Sequence, residues 1–188
     1  PSSMPIQGRT LRDAAQRFCD HINYVLTRTV TETRLVVFDV PPRIQVTFRQ
    51  AGHPIEARIQ TRFGPMRFYF FQVCESVRTP DGIHELRTIA YRYAVTPEDG
   101  TEPLLRWEYV KFPPVGALWC RHHLQGPVVL QIQEHSVSLN DLHLPTGYVP
   151  FEEVLRFCIV DLGVSPLASD WDRVLRESYD LFKTEFTR

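Results

Sequence analysis

A chain of 188 residues, 43% hydrophobic and 23% charged, is long enough to bury one substantial core and too well balanced to be disordered. Its formal net charge of -1 excludes a whole-chain electrostatic footprint for nucleic acid, although arginine far outnumbers lysine and can be concentrated on one face. With no membrane-length apolar run and no signal-peptide pattern, the expectation is a cytoplasmic protein that does not associate with membranes; Pro1-Ser2-Ser3 ahead of Met4 reads as an expression remnant.

Thr10 opens a helix to about Thr29, with Leu11, Ala14, Ala15, Phe18, Ile22, Val25 and Leu26 at helical spacing and Asp13 completing a capping pattern. Leu35 to Phe38 is a short strand broken by Pro41-Pro42, and Arg43 to Gln50 alternates as a second. After the Ala51–Pro54 turn comes a strand over Ile55 to Arg62, then Met66 to Arg78, whose run Phe68-Tyr69-Phe70-Phe71 predicts burial on both faces of a sheet. Thr79-Pro80-Asp81-Gly82 is turn chemistry, so His84 to Thr96 is expected to return as the partner strand of a long hairpin at the centre of the sheet. Leu104 to Val110 and Trp119 to Leu124 follow as further strands of a meander.

Pro150 at a helix start and Gly163 at its stop bracket Phe151, Val154, Leu155, Cys158, Ile159 and Leu162 on one face. Ser169 with Asp172 predicts the cap of a last helix, with Trp171, Val174, Leu175, Leu181 and Phe182 as its apolar stripe. The fold class expected is α+β in one domain over residues 1–188. A helix at 10–29 and a curved, mostly antiparallel sheet over 34–144 precede two C-terminal helices within 150–186, which cover one face and bury Val154, Leu155, Ile159, Val174 and Leu181.

Polar chemistry crowds into the stretch 118–153, which holds four of the seven histidines. Arg121, His122 and His123 stand together, and Asn140, Asp141 and His143 follow before a Pro-Thr-Gly turn. A histidine pair supplies a general base and a general acid near neutral pH, and an arginine stabilises charge on a phosphoryl group, a combination suited to metal-independent RNA cleavage. The candidate catalytic residues are therefore Arg121, His122, His123 and His143. On a strand, adjacent residues face opposite ways, so one face can hold only part of this set. A metal site built from His122 or His123 with His135, Asp141 and His143 is the competing chemistry, but its spacing matches no helix-borne ligand pair, and no metal or other cofactor is expected. Cys19, Cys74, Cys120 and Cys158 lack paired metal spacing and read as reduced, buried thiols.

Arg87, Tyr91, Arg92 and Tyr93, followed by Arg106, Trp107 and Tyr109, interleave cations with aromatics as RNA-stacking surfaces do; the plainer reading is a half-buried sheet with snorkelling arginines. Tyr91, Tyr93, Arg106, Trp107 and Asp141 are the candidate substrate-binding residues.

From Arg87 to Leu162 the order of pieces resembles the TumE-type toxins of prokaryotic toxin-antitoxin pairs: the Tyr91-Arg92-Tyr93 strand, a charged hairpin, the Arg106-Trp107-Glu108-Tyr109 strand, the Arg121-His122 pair, Gly126, and an aromatic-led helix from Tyr148 to Leu162. Arg121 and His122 match the family's Arg-His pair, whereas Trp107 and Glu108 stand where the family has a Tyr-Asp-Asn-like element. The resemblance implies a growth-inhibiting, RNA-cleaving toxin neutralised by a DNA-binding partner. The partners expected are an RNA substrate, an antitoxin or other protein and, if the C-terminal stripe of Trp171, Tyr179 and Phe182 is a dimer seam rather than core, a second copy of the chain. The alternative is a non-catalytic protein-binding subunit of a defence or regulatory complex. His122 and His143 in one concave pocket would favour the enzyme; opposite faces would favour the binding module.

Overall fold

A computed structural model describes residues 6–117 and 121–182. In chain order, β1 (Gln7–Gly8) precedes α1 (Leu11–Thr29), followed by β2 (Leu35–Val40), β3 (Arg43–Gln50), β4 (His53–Pro54), β5 (Ala57–Thr61), β6 (Gly64–Arg78), β7 (His84–Pro97) and β8 (Leu105–Val110). Then come β9 (His122–Gln125), β10 (Val129–Ile132), β11 (His135–Ser138), a 3-10 turn at Leu139–Asp141, β12 (Leu144–Pro145), α2 (Phe151–Val160) and α3 (Trp171–Phe182). The expected strand start at Trp119 and Cys120 lies outside the described residues, as do residues 183–186 of the expected helical cover.

The main sheet has the order β12-β9-β8-β7-β6-β3-β2, with β1, β4 and β5 pairing at its margins, and its ladders are antiparallel. The architecture is α+β, as expected. At its centre β6 and β7 pair from Met66↔Pro97 to Arg78↔His84. The turn between them is closed by Gly82 N–H donating to Thr79 O at 2.9 Å, with Gly82 at φ 79°, a conformation that an L side chain resists.

Local chemistry sets the helices. Thr10 Oγ1 accepts from Asp13 N–H at 3.1 Å, satisfying one orphan donor at the start of α1. Gly163 ends the α2 region at φ 71°. Asp172 does not close a cap with Ser169; its carboxylate pairs instead with Arg156 (2.5 Å) and Arg176 (2.8 Å), because the guanidiniums offer charge-assisted bonds.

The three helices lie on one face of the sheet and share one contiguous core with it. Phe70, fully buried, meets Phe151 of α2 at 4.9 Å and Tyr93 of β7 at 5.3 Å between ring centroids. Val154, Leu155, Ile159 and Val174 are buried as expected. Leu181 is not: it is 38% exposed, and the inward stripe of α3 is Val174, Leu175, Ser178 and Phe182. Ser178 takes an inward place because its hydroxyl bonds the buried Glu152 carboxyl at 2.5 Å. Cys19, Cys74 and Cys158 are buried and in the thiol form, joined in no disulfide.

The stretch read as a polar cluster contains a small hairpin, β10 paired with β11, that the sequence did not announce. Its turn places Gln133 at φ 56°, where glycine or asparagine is the usual signal.

Candidate functional site

The strand pleat sorts the site residues onto two faces. Cross-strand registers carry one helix-side row through Val46, Gln72, Tyr91, Tyr109 and His122, and the next through Phe70, Tyr93, Trp107, Leu124 and Leu144. On the opposite, helix-free face the alternating rows are Thr47, Phe71, Arg92, Glu108, His123 and Pro145, and beside it Tyr69, Ala94, Arg106 and Gln125.

His122 therefore faces the helices. It stacks on Tyr109 (4.3 Å, 16° between planes), and its Nδ1 lies 3.2 Å from the Tyr91 hydroxyl, which accepts from Val149 N–H at 3.4 Å. A hydroxyl that accepts from an amide is free to donate to Nδ1, which leaves the imidazole proton on Nε2. Burial, then the nearness of His123, lowers the His122 pKa, so this ring is neutral near pH 7. Tyr148 meets it edge-on at 6.1 Å. These bonds tie the loop before α2 to the sheet.

His123 faces the other way. Its Nε2 is 3.2 Å from Glu108 Oε2, and its ring meets that of His143 at 4.9 Å. Glu108 is a hub: Arg92 Nε donates to its Oε1, and Arg106 Nε approaches Oε2 at 3.2 Å. Two guanidiniums around one carboxylate leave a net positive charge beside the imidazoles. Arg92 carries it toward solvent, its side chain half-exposed, while His123 and Glu108 are buried. Arg106 also donates to Gln125 Oε1, and Gln125 Nε2 donates to Asn140 O at 3.1 Å, so the 3-10 turn docks on this edge of the sheet.

Along the rows from the ionic cluster, Tyr69 and Phe71 lie side by side on β6, half-buried, with ring centroids 6.4 Å apart and planes 9° apart. Further out, the Arg49 guanidinium covers exposed Phe38 at 4.1 Å. The open face thus offers near-parallel aromatic rings next to a cation and an imidazole pair.

Of the expected catalytic set, His123 and His143 come together and His122 is separated from them by the sheet. Arg121 is exposed just before β9; its carbonyl accepts from Val110 N–H at 3.0 Å, and its charge opposes the rise that burial imposes on the Tyr109 pKa. Of the expected substrate-binding residues, Arg106 is on the open face. Tyr91, Tyr93 and Trp107 point to the helices, where Tyr91 and Tyr93 are core, and Asp141 is exposed in the 3-10 turn. The metal alternative is not assembled: among the described residues no three His, Cys, Asp or Glu side chains are grouped to hold an ion.

Tyr69, Phe71, Arg92 and Glu108 are the open-face residues that the sequence reading left out of the site. Their signal was present in the parity of β6 and β7, where Arg67, Tyr69, Phe71, Arg92 and Ala94 share a face, but the unbroken run Phe68–Phe71 concealed it. Compared with family models, with curated proteins and with solved structures, the chain gives no match.

Proposed function

We propose that the protein binds single-stranded RNA on its open sheet face. The observation that carries this reading is the cross-strand row Phe71–Arg92–Glu108–His123 with Tyr69 beside it. Bases of any identity stack on partly exposed aromatic rings, each worth about 1–3 kcal/mol, and the positive charge left over around Glu108 meets the phosphates. A near-neutral chain binds through such a local patch rather than through its overall field. The opposite facing of His122 and His143 favours binding over the cleavage chemistry expected of that pair. Fluorescence anisotropy with a labelled single-stranded RNA tests it: saturable binding by the wild type should weaken roughly tenfold or more in the double variant Tyr69→Ala, Phe71→Ala. Wild type that does not bind RNA would overturn the reading and favour a protein-binding subunit.

Cleavage is the second reading, favoured by the His123–His143 contact with Glu108 behind it. In this reading Glu108 orients His123, the exposed His143 exchanges the proton, and Arg92 neutralises phosphoryl charge. The TumE-type resemblance adds a toxin held by an antitoxin. Loss of RNA integrity and of growth on expression in a bacterial host, both abolished by His143→Ala, would support it; intact RNA with the wild type would remove it.

A further inference from the structure

We propose that the chain pairs with a second copy of itself along the outer edge of β2, antiparallel about a two-fold axis at Phe38, so that the two main sheets become one. β2 ends the main sheet and pairs with β3 alone. An open edge is a template for another strand, and folded proteins blunt it with charge, proline or cover. Here the blunting leaves the middle of the strand open, and the opening fits one partner.

The strand period fixes which backbone groups face outward. Leu35 N–H donates to Asn23 Oδ1 at 2.7 Å and the Leu35 carbonyl accepts from Asn23 Nδ2 at 3.0 Å, so Leu35 turns its polar groups away from β3. With an alternating ladder, Val37 and Asp39 do the same. The next outward residue is Pro41, which has no N–H. The open window is therefore Val37 and Asp39: outside the β2–β3 ladder, no hydrogen bond among the described residues reaches their main-chain groups.

That window selects the register. Val37 set against Val37 of a second copy would place Asp39 on Leu35, whose groups Asn23 already holds. Asp39 set against Asp39 would place Val37 on Pro41, which donates nothing. Val37 against Asp39, and Asp39 against Val37, satisfies every outward group of both windows. The same register puts Phe38 opposite Phe38 of the second copy and Val36 opposite its Val40, all on the open-face side of β2, where these side chains are exposed. Their order, Val-x-Phe-x-Val, reads alike from either end, which is what a two-fold seam requires and an unrelated strand does not supply.

Charge agrees with this arrangement. The stripe of α1 beside β2 carries exposed Arg12, Gln16 and Asp20, with Arg12 paired to Asp39 and Gln16 Nε2 donating to Asp20 Oδ1 at 2.9 Å. The two-fold axis runs the two α1 helices antiparallel, which turns the Asp20 end of one toward the Arg12 end of the other. The pairing is closed, because the far end of the sheet path is β12, two residues ending in Pro145, and offers no second edge for growth. β3 separates the seam from Tyr69 and Phe71, so the dimer stands independently of RNA binding.

Sedimentation equilibrium on the intact chain over a concentration series tests the seam: the mass should rise from that of one chain, 21.9 kDa, to twice that value. Asp39→Pro removes an outward N–H that the β2–β3 ladder does not use, and Phe38→Lys sets like charges opposite one another across the axis. Each variant should melt close to the wild type when dilute and weaken the dimer at least tenfold. Disulfide linking reads the register: under mild oxidation Phe38→Cys should form a covalent dimer beyond the wild-type level, whereas Val36→Cys and Val40→Cys should link only when mixed with each other. A wild type that stays monomeric, a dimer that neither variant weakens, or Val36→Cys linking to itself as readily as Phe38→Cys would overturn the proposal. Should Asp39→Pro fail to fold, the linking pattern decides: a covalent dimer of Phe38→Cys supports the seam, and linking no greater than in the wild type overturns it.

Discussion

Adjacent residues on β6 give a sharp test of which face is which. Phe70 is fully buried between Tyr93 and Phe151, and Phe71, its chain neighbour, is only partly buried, on the open face opposite Arg92. Phe70→Asp removes a core ring, worth about 3–5 kcal/mol as in Phe to Ala truncations. It also leaves an unpaired carboxylate in the core, at a further cost of several kcal/mol. Together these reach the whole stability of a typical domain, about 5–15 kcal/mol, so this variant should be unfolded. Phe71→Asp gives up only part of a ring's burial, about 1–1.5 kcal/mol, and gains a cross-strand charge pair with Arg92 that returns about 0.2–1 kcal/mol. Its melting temperature should fall by no more than about 2–4 °C. Far-UV circular dichroism melts of the two variants read the difference directly. A cooperative, near-wild-type melt for Phe70→Asp, or an unfolded Phe71→Asp, would show that the faces are reversed.

Three further outcomes follow from named contacts. Asn23 is buried and pins the start of β2, its Oδ1 accepting from Leu35 N–H at 2.7 Å and its Nδ2 donating to Leu35 O at 3.0 Å; Asn23→Ala should cost about 2 kcal/mol and lower the thermal midpoint by about 4–8 °C. A Cβ at Gly126 would sit 2.5 Å from Leu104 O, a backbone atom with little room to yield, so Gly126→Ala should destabilise by about 1–3 kcal/mol in a urea titration. Burial pushes the thiols of Cys19 and Cys158 and the phenol of Tyr91 up to about 12. The unfolded chain therefore loses these protons first: stability is full below about pH 8, where unfolded thiols of ordinary pKa about 8.5 begin to ionise, and is lost progressively toward pH 12, which melts across that range should record.

The central hairpin was legible because Pro80-Asp81-Gly82 fixes the reversal and both arms are long. The first helix was legible because Thr10 and Asp13 mark its start in chemistry the structure reproduces. Face assignment was less so. Parity alone says that His122 and His123 diverge, but which of them meets the helices depends on a register set by Tyr109 and Glu108 across the ladder. The Phe68–Phe71 run is apolar at every position and so carries no alternation from which to choose. Glu152 reads in sequence as an ordinary first-turn acid favoured by the helix dipole; its burial depends on Ser178, a whole element away. Leu181 and Phe182 both suit a helix stripe, and one residue's rotation decided between them.

Ultraviolet crosslinking of a single-stranded RNA to the wild-type chain, with the linked peptides identified by mass spectrometry, tests the central claim most directly. Crosslinks should fall on the open face, at Tyr69 and Phe71 of β6 and the peptides carrying Arg92 and His143. Crosslinks confined to the helix side, at Tyr24, Tyr148 or Tyr179, or none at saturating RNA, would contradict it.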